Sequence, residues 1–324
     1  MEKINLDLKD KNILLALDMD ARKPDSSIAK VVRLSKQVTN YRIRRLEKKG
    51  IIKSYYAVID HTKLGLKLYR IGLKLENAGK EKEQEILAYL TQRASWIVSA
   101  LGTWDIWMAV YAKNEYEFME FWNKFYTEYG YFIKQRWISL MTAFWNFERS
   151  FILPQKKNRD KMFILGKKPA RTKIDEIDEK ILQQLTRNAR QTSLELAKKI
   201  KQTERIIRYR IRRLEEQKII LGYRTFLNTS LLGLKYYKLF IQLKNVKSKD
   251  FAIIRNYVTQ NPAVVYNTVA LGGYDFELEA HFHDSQALFA FIVELKETFP
   301  AFIRSIQHME YIKEHKVTYY PIFS

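Results

Sequence analysis

Apolar residues in the stretch 174–216 recur at spacings of three and four, which is the period of a helix with one buried face. A first helix is predicted over residues 174–188, with acidic residues in the first turn, where the helix dipole favours them. Thr192 and Glu195 form a capping box that begins a short second helix. Thr203 is a good N-cap for a third helix. The predicted inner positions of this third helix are Ile207, Ile211 and Leu214.

The same pattern occurs near the start of the chain, because the chain is a tandem repeat. Residues 41–47 (YRIRRLE) recur letter for letter at 209–215, a shift of 168 places (209 − 41). After a two-residue slip, residues 100–106 (ALGTWDI) match residues 270–276 (ALGGYDF). The cap and inner positions of the third helix in the first copy are Ser35, Thr39, Ile43 and Leu46.

Alternating and β-branched runs follow each helical region. Residues 50–60 and 218–228 are predicted to form the strand or wing that leads out of the helical unit. Residues 67–144 then give the order strand, helix, strand, strand, helix, strand, and residues 235–312 repeat it. The predicted fold class is α+β, with two copies of a winged helix-turn-helix followed by a ferredoxin-like β-α-β-β-α-β domain.

The outer face of each third helix is rich in basic residues. Two short helices, a tight turn and such a third helix are typical of the helix-turn-helix. Residues near the start of the third helix should enter the major groove, and later ones should lie nearer the phosphates. The predicted base-facing residues are Lys36, Gln37, Asn40, Arg44, Arg205, Arg208 and Arg212. The full DNA-binding set adds Arg42, Arg45, Arg210 and Arg213. Lys53 and Arg224 are predicted to touch phosphates from the following strands, and an ordinary charged helix surface is the alternative interpretation.

The formal net charge of +21 favours a polyanionic partner, although a merely solvated basic surface gives the same total. Positive charge is most concentrated in residues 153–173, which contain eight basic residues and one acidic residue. Two prolines and a glycine interrupt any regular period there, so this stretch is predicted to be a linker. Its apolar patch at residues 162–165 has the composition to dock on a neighbouring domain.

The repeated motifs resemble the Lrp/AsnC, or feast/famine, family of transcription factors. The resemblance is carried by residues 174–200 (IDEIDEKILQQLTRNARQTSLELAKKI), residues 207–223 (IRYRIRRLEEQKIILGY) and the LGLK segments at 64–67 and 232–235. It implies a winged helix-turn-helix joined to an effector domain that pairs through its sheets and responds to amino acids. The turns that match the family's Gly-x-x-Asp pattern near its effector pocket give the candidate effector residues Gly102, Asp105, Gly272 and Asp275. A plain hairpin turn explains the same residues.

The repeat and the resemblance together predict five segments. They are a winged helix-turn-helix at 1–60, an effector and pairing domain at 61–152, a basic linker at 153–173, a second winged helix-turn-helix at 174–228 and a second effector domain at 229–324. The two homologous sheets are predicted either to pack face to face as an internal pseudo-dimer or to pair between chains in a homo-oligomer. The partners predicted are double-stranded DNA and an amino-acid effector.

Several classes of function lack sequence support. The absence of cysteine excludes disulfides, thiolate metal sites and cysteine nucleophiles. No apolar run is long enough to span a membrane, and the charged start of the chain does not resemble an export signal, so a cytoplasmic location is expected. No cofactor is predicted, and His281-x-His283 lacks an evident third metal ligand. No phosphate loop or nucleophile elbow occurs, so the chain is not predicted to be an enzyme.

Two alternatives stay open beside a sequence-specific regulator. An architectural protein that coats DNA would have the same basic helices but little sequence preference. Siroheme decarboxylases resemble the same regulator family in fold, which keeps an enzymatic function open, although function depends on the site and not on the fold.

Overall fold

The computed structural model describes residues 4–154, 162–166, 171–318 and 320. The helices of these ranges are α1 (Leu8–Asp18), α2 (Asp25–Val32), α3 (Lys36–Lys48), α4 (Lys80–Arg93), α5 (Glu115–Tyr129), α6 (Glu176–Arg187), α7 (Ser193–Ile200), α8 (Glu204–Glu216), α9 (Ser248–Val258) and α10 (Ser285–Thr298). The strands are β1 (Ile52–Ile59), β2 (Lys67–Leu75), β3 (Trp96–Gly102), β4 (Ile106–Ala112), β5 (Ile133–Phe147), β6 (Met162–Leu165), β7 (Ile220–Leu227), β8 (Lys235–Leu243), β9 (Val264–Leu271), β10 (Phe276–Phe282) and β11 (Ile303–Val317).

The helix starts follow the predicted capping residues. The Thr192 hydroxyl accepts a hydrogen bond from the amide of Glu195 at 3.2 Å, and the Glu195 carboxylate accepts one from the amide of Thr192 at 2.7 Å. The Ser35 and Thr203 hydroxyls cap α3 and α8 by accepting hydrogen bonds from the amides of Val38 and Ile206. The predicted capping box and N-caps are therefore confirmed, and so are the two helix-turn-helix units.

The two helix-turn-helix units share one hydrophobic core. Strands β1 and β7, which leave the two units, pair with each other as an antiparallel ribbon. The amide of Ala21 donates to the carbonyl of Tyr223 at 3.0 Å, and the equivalent amide of Ala189 donates to the carbonyl of Tyr55 at 2.8 Å. The buried residues of α1 and α6 belong to the same apolar cluster. Burial of this common apolar surface stabilises both helix-turn-helix units together. The ribbon and the core therefore hold the two units side by side within one chain.

Eight strands of the two second domains form one closed barrel. Their order is β2-β4-β3-β11-β8-β10-β9-β5, and β5 pairs back to β2 to close the ring. Each half keeps the predicted order of strands and helices along the chain. The expectation of two separate sheets packed face to face is corrected here, because the halves join edge to edge through β3–β11 and β5–β9. Closure removes the edge strands that two open sheets would leave unpaired.

Side chains alternate between the two faces of the barrel wall. On β10, Phe276 and Leu278 pack outward into the core that includes α9 and α10, whereas Glu277 and Glu279 point into the barrel. The inward carboxylates meet two buried cations, Arg70 on β2 and Lys238 on β8. The barrel interior is therefore an aromatic core with a buried charge cluster.

Part of the predicted linker forms β6, which the sequence analysis did not predict as a strand. It pairs antiparallel with the end of β5, and Phe144 lies opposite Leu165. The linker residues 155–161 and 167–170 lie outside the described residues. In the described part of the chain, no helix is long and apolar enough to cross a membrane.

Candidate nucleic-acid interface

The inner faces of α3 and α8 are apolar and anchored. Thr39, Ile43 and Leu46 are buried on α3, and Ile207 and Leu214 are buried on α8. Each helix thus presents its opposite face to solvent, and its orientation is fixed by the core that the two units share.

The exposed face of α8 is arginine-rich. Arg205, Arg208 and Arg212 are exposed at helical spacing, and Tyr209 lies among them with 64% of its surface exposed. These residues and Glu204 line one shallow surface depression. Arg208 forms an ion pair with Glu204 one turn earlier on the same helix. The face therefore offers bidentate donors suited to guanine edges or phosphates.

The exposed face of α3 has different chemistry at the equivalent positions. Lys36, Gln37 and Arg44 are exposed, and Tyr41 corresponds to Tyr209. Asn40 is half-buried, and its side-chain amide donates to the Asp25 carboxylate on α2 at 2.7 Å. The two faces therefore differ in the positions of their charges and in their hydrogen-bonding groups.

Four other predicted DNA-binding arginines form ion pairs with carboxylates at the start of the first helix of their unit. On α3, Arg42 pairs with Asp7 at 2.6 Å and Asp10 at 2.9 Å, and Arg45 also pairs with Asp10. The equivalents Arg210 and Arg213 on α8 pair in the same way with Asp175 and Asp178. The hydrogen bond from Arg42 is the main cause of the lowered pKa of Asp7, and the hydrogen bond from Arg210 is the main cause of the lowered pKa of Asp175. These arginines hold each third helix against the first helix of its unit.

Two exposed tyrosines on these faces were missed by the sequence analysis. Tyr41 and Tyr209 begin the repeated YRIRRLE segment and are both about two-thirds exposed. The signal was their position, one turn before the arginines predicted to face DNA. An aromatic side chain there offers an apolar surface to a thymine methyl group.

The prediction that Arg224 touches phosphates is wrong. Its side chain is fully buried, and its guanidinium binds both carboxylate oxygens of Asp18 at 2.7 Å. Arg149, which follows β5, binds the same carboxylate. Although burial opposes ionisation, these two arginines lower the pKa of Asp18. The Arg224 guanidinium is thus part of the junction between the two copies and is not exposed to solvent. Lys53, the other residue predicted to touch phosphates from these strands, is exposed.

The predicted effector residues form the two turns between the middle strands. Gly102 and Gly272 have φ values of +130° and +74°, a region that favours glycine. Asp105 accepts a hydrogen bond from the amide of Leu75 at 2.8 Å, and Asp275 accepts one from the amide of Leu243 at 2.8 Å. The structure gives these aspartates a role in holding the turns.

His281 of the His281-x-His283 pair is buried. Burial, followed by the positive charge of Arg149, lowers its pKa to about 3. Over residues 4–154, 162–166, 171–318 and 320, no group of three or more histidine and acidic side chains is placed to hold a metal ion.

Both helical units match known domains. Residues 6–53 match a winged helix-turn-helix DNA-binding domain, and residues 174–215 match an AsnC-type helix-turn-helix domain. The chain is 36% identical over 90 residues to the HTH-type transcriptional regulator AldR of Mycolicibacterium smegmatis, a match that spans 28% of this chain and 53% of AldR. It is 33% identical over 112 residues to the proline dehydrogenase transcriptional activator of Rhodobacter capsulatus, which spans 34% of this chain and 73% of that activator.

A solved structure resembles nearly the whole chain. The siroheme decarboxylase NirDL aligns with 98% of this chain and 94% of its own length, with a TM-score of 0.66 and 13% sequence identity. At that identity the likeness concerns the fold alone. The AsnC-type domain and the relatives matched over most of their length identify the sequence family, and the chain belongs to the Lrp/AsnC family of helix-turn-helix transcriptional regulators.

Proposed function

We propose that this regulator binds a two-part DNA site whose halves differ in sequence, one read by α3 and the other by α8. The observation that carries the proposal is the pairing of β1 with β7 and the common core beneath them, which join two unlike reading faces in one chain. A symmetric homodimer presents identical faces to a palindrome, whereas the duplicated chain is free to present different ones.

The residues proposed to contact DNA are those named from the sequence. The exposed set Lys36, Gln37, Arg44, Arg205, Arg208 and Arg212 faces bases, together with Asn40. The paired arginines Arg42, Arg45, Arg210 and Arg213 orient each helix and lie nearer the phosphate backbone. Their ion pairs with the first helices support this division of roles.

The domain division also belongs to this proposal. Residues 1–60 and 174–228 are the DNA-binding units, and residues 61–152 and 229–324 are ferredoxin-like copies joined as an internal pseudo-dimer. Pairing of β3 with β11 and of β5 with β9 supports pairing within the chain. An amino acid bound near Gly102, Asp105, Gly272 and Asp275 modulates DNA affinity in this scheme. The Asp105 and Asp275 carboxylates already accept hydrogen bonds from backbone amides. In this scheme the ligand therefore contacts the exposed backbone of the turns.

The test is selection of bound duplexes from a random library, followed by affinity measurements at two salt concentrations. Enrichment of two unlike half-sites at a fixed spacing is expected. The double variant Arg208→Ala/Arg212→Ala should lose at least about tenfold in affinity for the selected site, because each bidentate contact contributes about 1–3 kcal/mol. Lys249→Ala/Arg304→Ala removes the same charge from exposed positions on the effector domain and serves as the control. Equal losses in both variants would show that only net charge matters.

Sequence-independent binding with a steep salt dependence would instead favour the architectural alternative. The chain is proposed to be non-catalytic, and the decarboxylase alternative rests on the whole-chain likeness in fold. Arg70 and Arg149 lie deep in the fold but are already paired with Glu279 and Asp18, so they are not free to bind the carboxylates of a tetrapyrrole. Anaerobic titration with an iron tetrapyrrole tests this alternative, and tight one-to-one binding would support it.

A further inference from the structure

A cavity of about 210 Å³ lies between the β1–β7 ribbon and the barrel. Its lining includes Tyr56 from β1 and Phe226 from β7, together with Arg70, Tyr111 and His281 from the barrel strands. The candidate effector residues of the two turns are not in its described lining. The cavity is therefore a different place from the proposed effector site.

Both copies contribute equivalent positions to this cavity. Shifts of 168 or 170 places relate eight lining pairs, including Trp96 and Tyr266, Ala109 and Glu279, Tyr111 and His281, and His61 and Thr229. The cavity thus lies on the internal pseudo-twofold axis. In a homodimer the two members of each pair would be identical. Here the four named pairs differ in charge or in hydrogen-bonding groups, so the repeat has acquired one asymmetric chamber.

Unpartnered polar atoms line the chamber. His61 is 1% exposed, and neither of its ring nitrogens has a hydrogen-bond partner among the described residues. Across the same described ranges, the side-chain oxygen of Asn146 and Nδ1 of His281 are also without a partner, and both residues are more than nine-tenths buried. A buried polar atom without a partner is destabilising, so a bound molecule that supplies the missing hydrogen bond gains affinity.

The charged side chains that line the chamber already have protein partners. Arg70 pairs with Glu279 at 3.3 Å, and Arg149 pairs with Asp18. Burial raises the pKa of Glu314, although its carboxylate accepts a hydrogen bond from Nε1 of Trp96. A ligand with a net charge would lose its hydration there and would have to compete with these protein partners for a counter-ion.

We propose that this chamber binds an uncharged aromatic molecule of one or two rings that carries a hydrogen-bonding group. Aromatic walls from Trp96, Tyr111, Tyr236 and Tyr266 enclose the rings, and His61 and Asn146 satisfy the polar group. An apolar cavity of about 150 Å³ is enough to admit benzene, so about 210 Å³ is sufficient for a bicyclic ring. This inference goes beyond DNA binding and does not depend on it.

The test is calorimetric titration of the full chain without DNA, using four probes with the same indole ring. Indole is neutral, indole-3-acetate is an anion, tryptamine is a cation and tryptophan is a zwitterion. One indole per chain is expected, with at least about tenfold weaker binding of each charged probe, because an uncompensated buried charge opposes binding. Equal or tighter binding of any charged probe, or no binding of indole, would overturn the proposal.

Two variants locate the site. His61→Phe keeps a ring but removes both nitrogens, and Asn146→Leu removes the unpartnered oxygen. Each should weaken indole binding about fivefold or more, because one hydrogen bond contributes about 1 kcal/mol. His283→Phe changes an exposed histidine and should leave indole affinity unchanged. Unaltered affinity in folded His61→Phe and Asn146→Leu would contradict the assignment, and the probe series on the unmodified chain decides the ligand class even if a variant fails to fold.

Discussion

The guanidinium of Arg190 in the second helix-turn-helix pairs with the carboxylate of Asp25 in the first. The same carboxylate accepts a hydrogen bond from Asn40 on the reading helix α3. Although partial burial opposes it, hydrogen bonds from Asn40 and Arg190 lower the pKa of Asp25. Arg190 also lies 5.2 Å from the ring centroid of Tyr55, as Arg22 lies 5.3 Å from that of Tyr223. Helix α3 is therefore connected to the opposite copy through the single carboxylate of Asp25.

Replacing Asp25 with Asn should destabilise the protein and loosen α3. The ion pair with Arg190 is lost, and hydrogen bonds to charged groups contribute about 1.5–3 kcal/mol. Urea unfolding should show this loss, and affinity should fall more for the half-site read by α3 than for the other. Glu176→Gln removes an exposed pair with Lys180 and should change stability by less than about 0.5 kcal/mol. Equal stability of the two variants would contradict the role of Asp25.

Replacing Asp18 with Asn should have a larger effect. The buried carboxylate forms ion pairs with both Arg224 and Arg149. Its loss leaves two buried cations without their partner, which typically costs about 3–5 kcal/mol. Chemical denaturation measures the change, and Asp20→Asn, an exposed neighbour, is the control. A loss below about 1 kcal/mol would mean that water enters the junction and solvates the arginines.

Grafting the α8 face onto α3 should change DNA specificity. The triple variant Lys36→Glu/Gln37→Arg/Asn40→Arg gives α3 the residues found at Glu204, Arg205 and Arg208. The library selection should then enrich a site with two like halves. The reverse triple variant in α8, Glu204→Lys/Arg205→Gln/Arg208→Asn, should instead change the half-site read by α8 into a copy of the half-site read by α3. Retention of the original unlike halves by both variants would show that these positions do not read bases.

Stability should fall in acid as buried histidines become protonated. Burial lowers the pKa of His61 to about 4 from an ordinary 6.5, although Asp60 acts in the opposite direction. Between these values the unfolded chain binds a proton that the folded protein does not, so the free energy of unfolding decreases as the pH falls from 6.5 to 4. The decrease is on the order of 3 kcal/mol for one such group. The free energy of unfolding, measured at several pH values across this range, should depend less on pH in His61→Phe than in the unmodified chain. The exposed His283→Phe is the control. A parallel slope in all three proteins would rule out this contribution of His61.

Gly72 is required by the packing inside the barrel. A Cβ atom there would lie 2.6 Å from Cζ3 of Trp107 and 2.8 Å from Cδ2 of Trp104. Gly72→Ala should therefore reduce stability by about 1–3 kcal/mol through overpacking. A Cβ atom at Gly79 meets nothing within 4 Å, so Gly79→Ala is the matched control and should cost less than about 1 kcal/mol. Thermal unfolding of both variants measures the difference.

The sequence by itself determined the local features. Apolar periodicity and capping residues such as Thr192 and Thr203 fix the helices, because they depend on neighbours three or four places away. The internal repeat located the third helix of each helix-turn-helix unit, and helical periodicity correctly predicted that Arg205, Arg208 and Arg212 are exposed on α8. These inferences required no knowledge of which distant segments meet.

Only the tertiary structure decided how the copies join. Pairing of β1 with β7, the junction of the two half-barrels through β5 and β9, and the chamber on the pseudo-twofold axis all bring together residues more than one hundred places apart. Arg224 shows the limit most clearly, since its strand position indicated an exposed cation while its partner Asp18 lies in the other copy. The energy of a charge depends on whether it is solvated or paired, and that is set by long-range packing, which a local pattern does not contain.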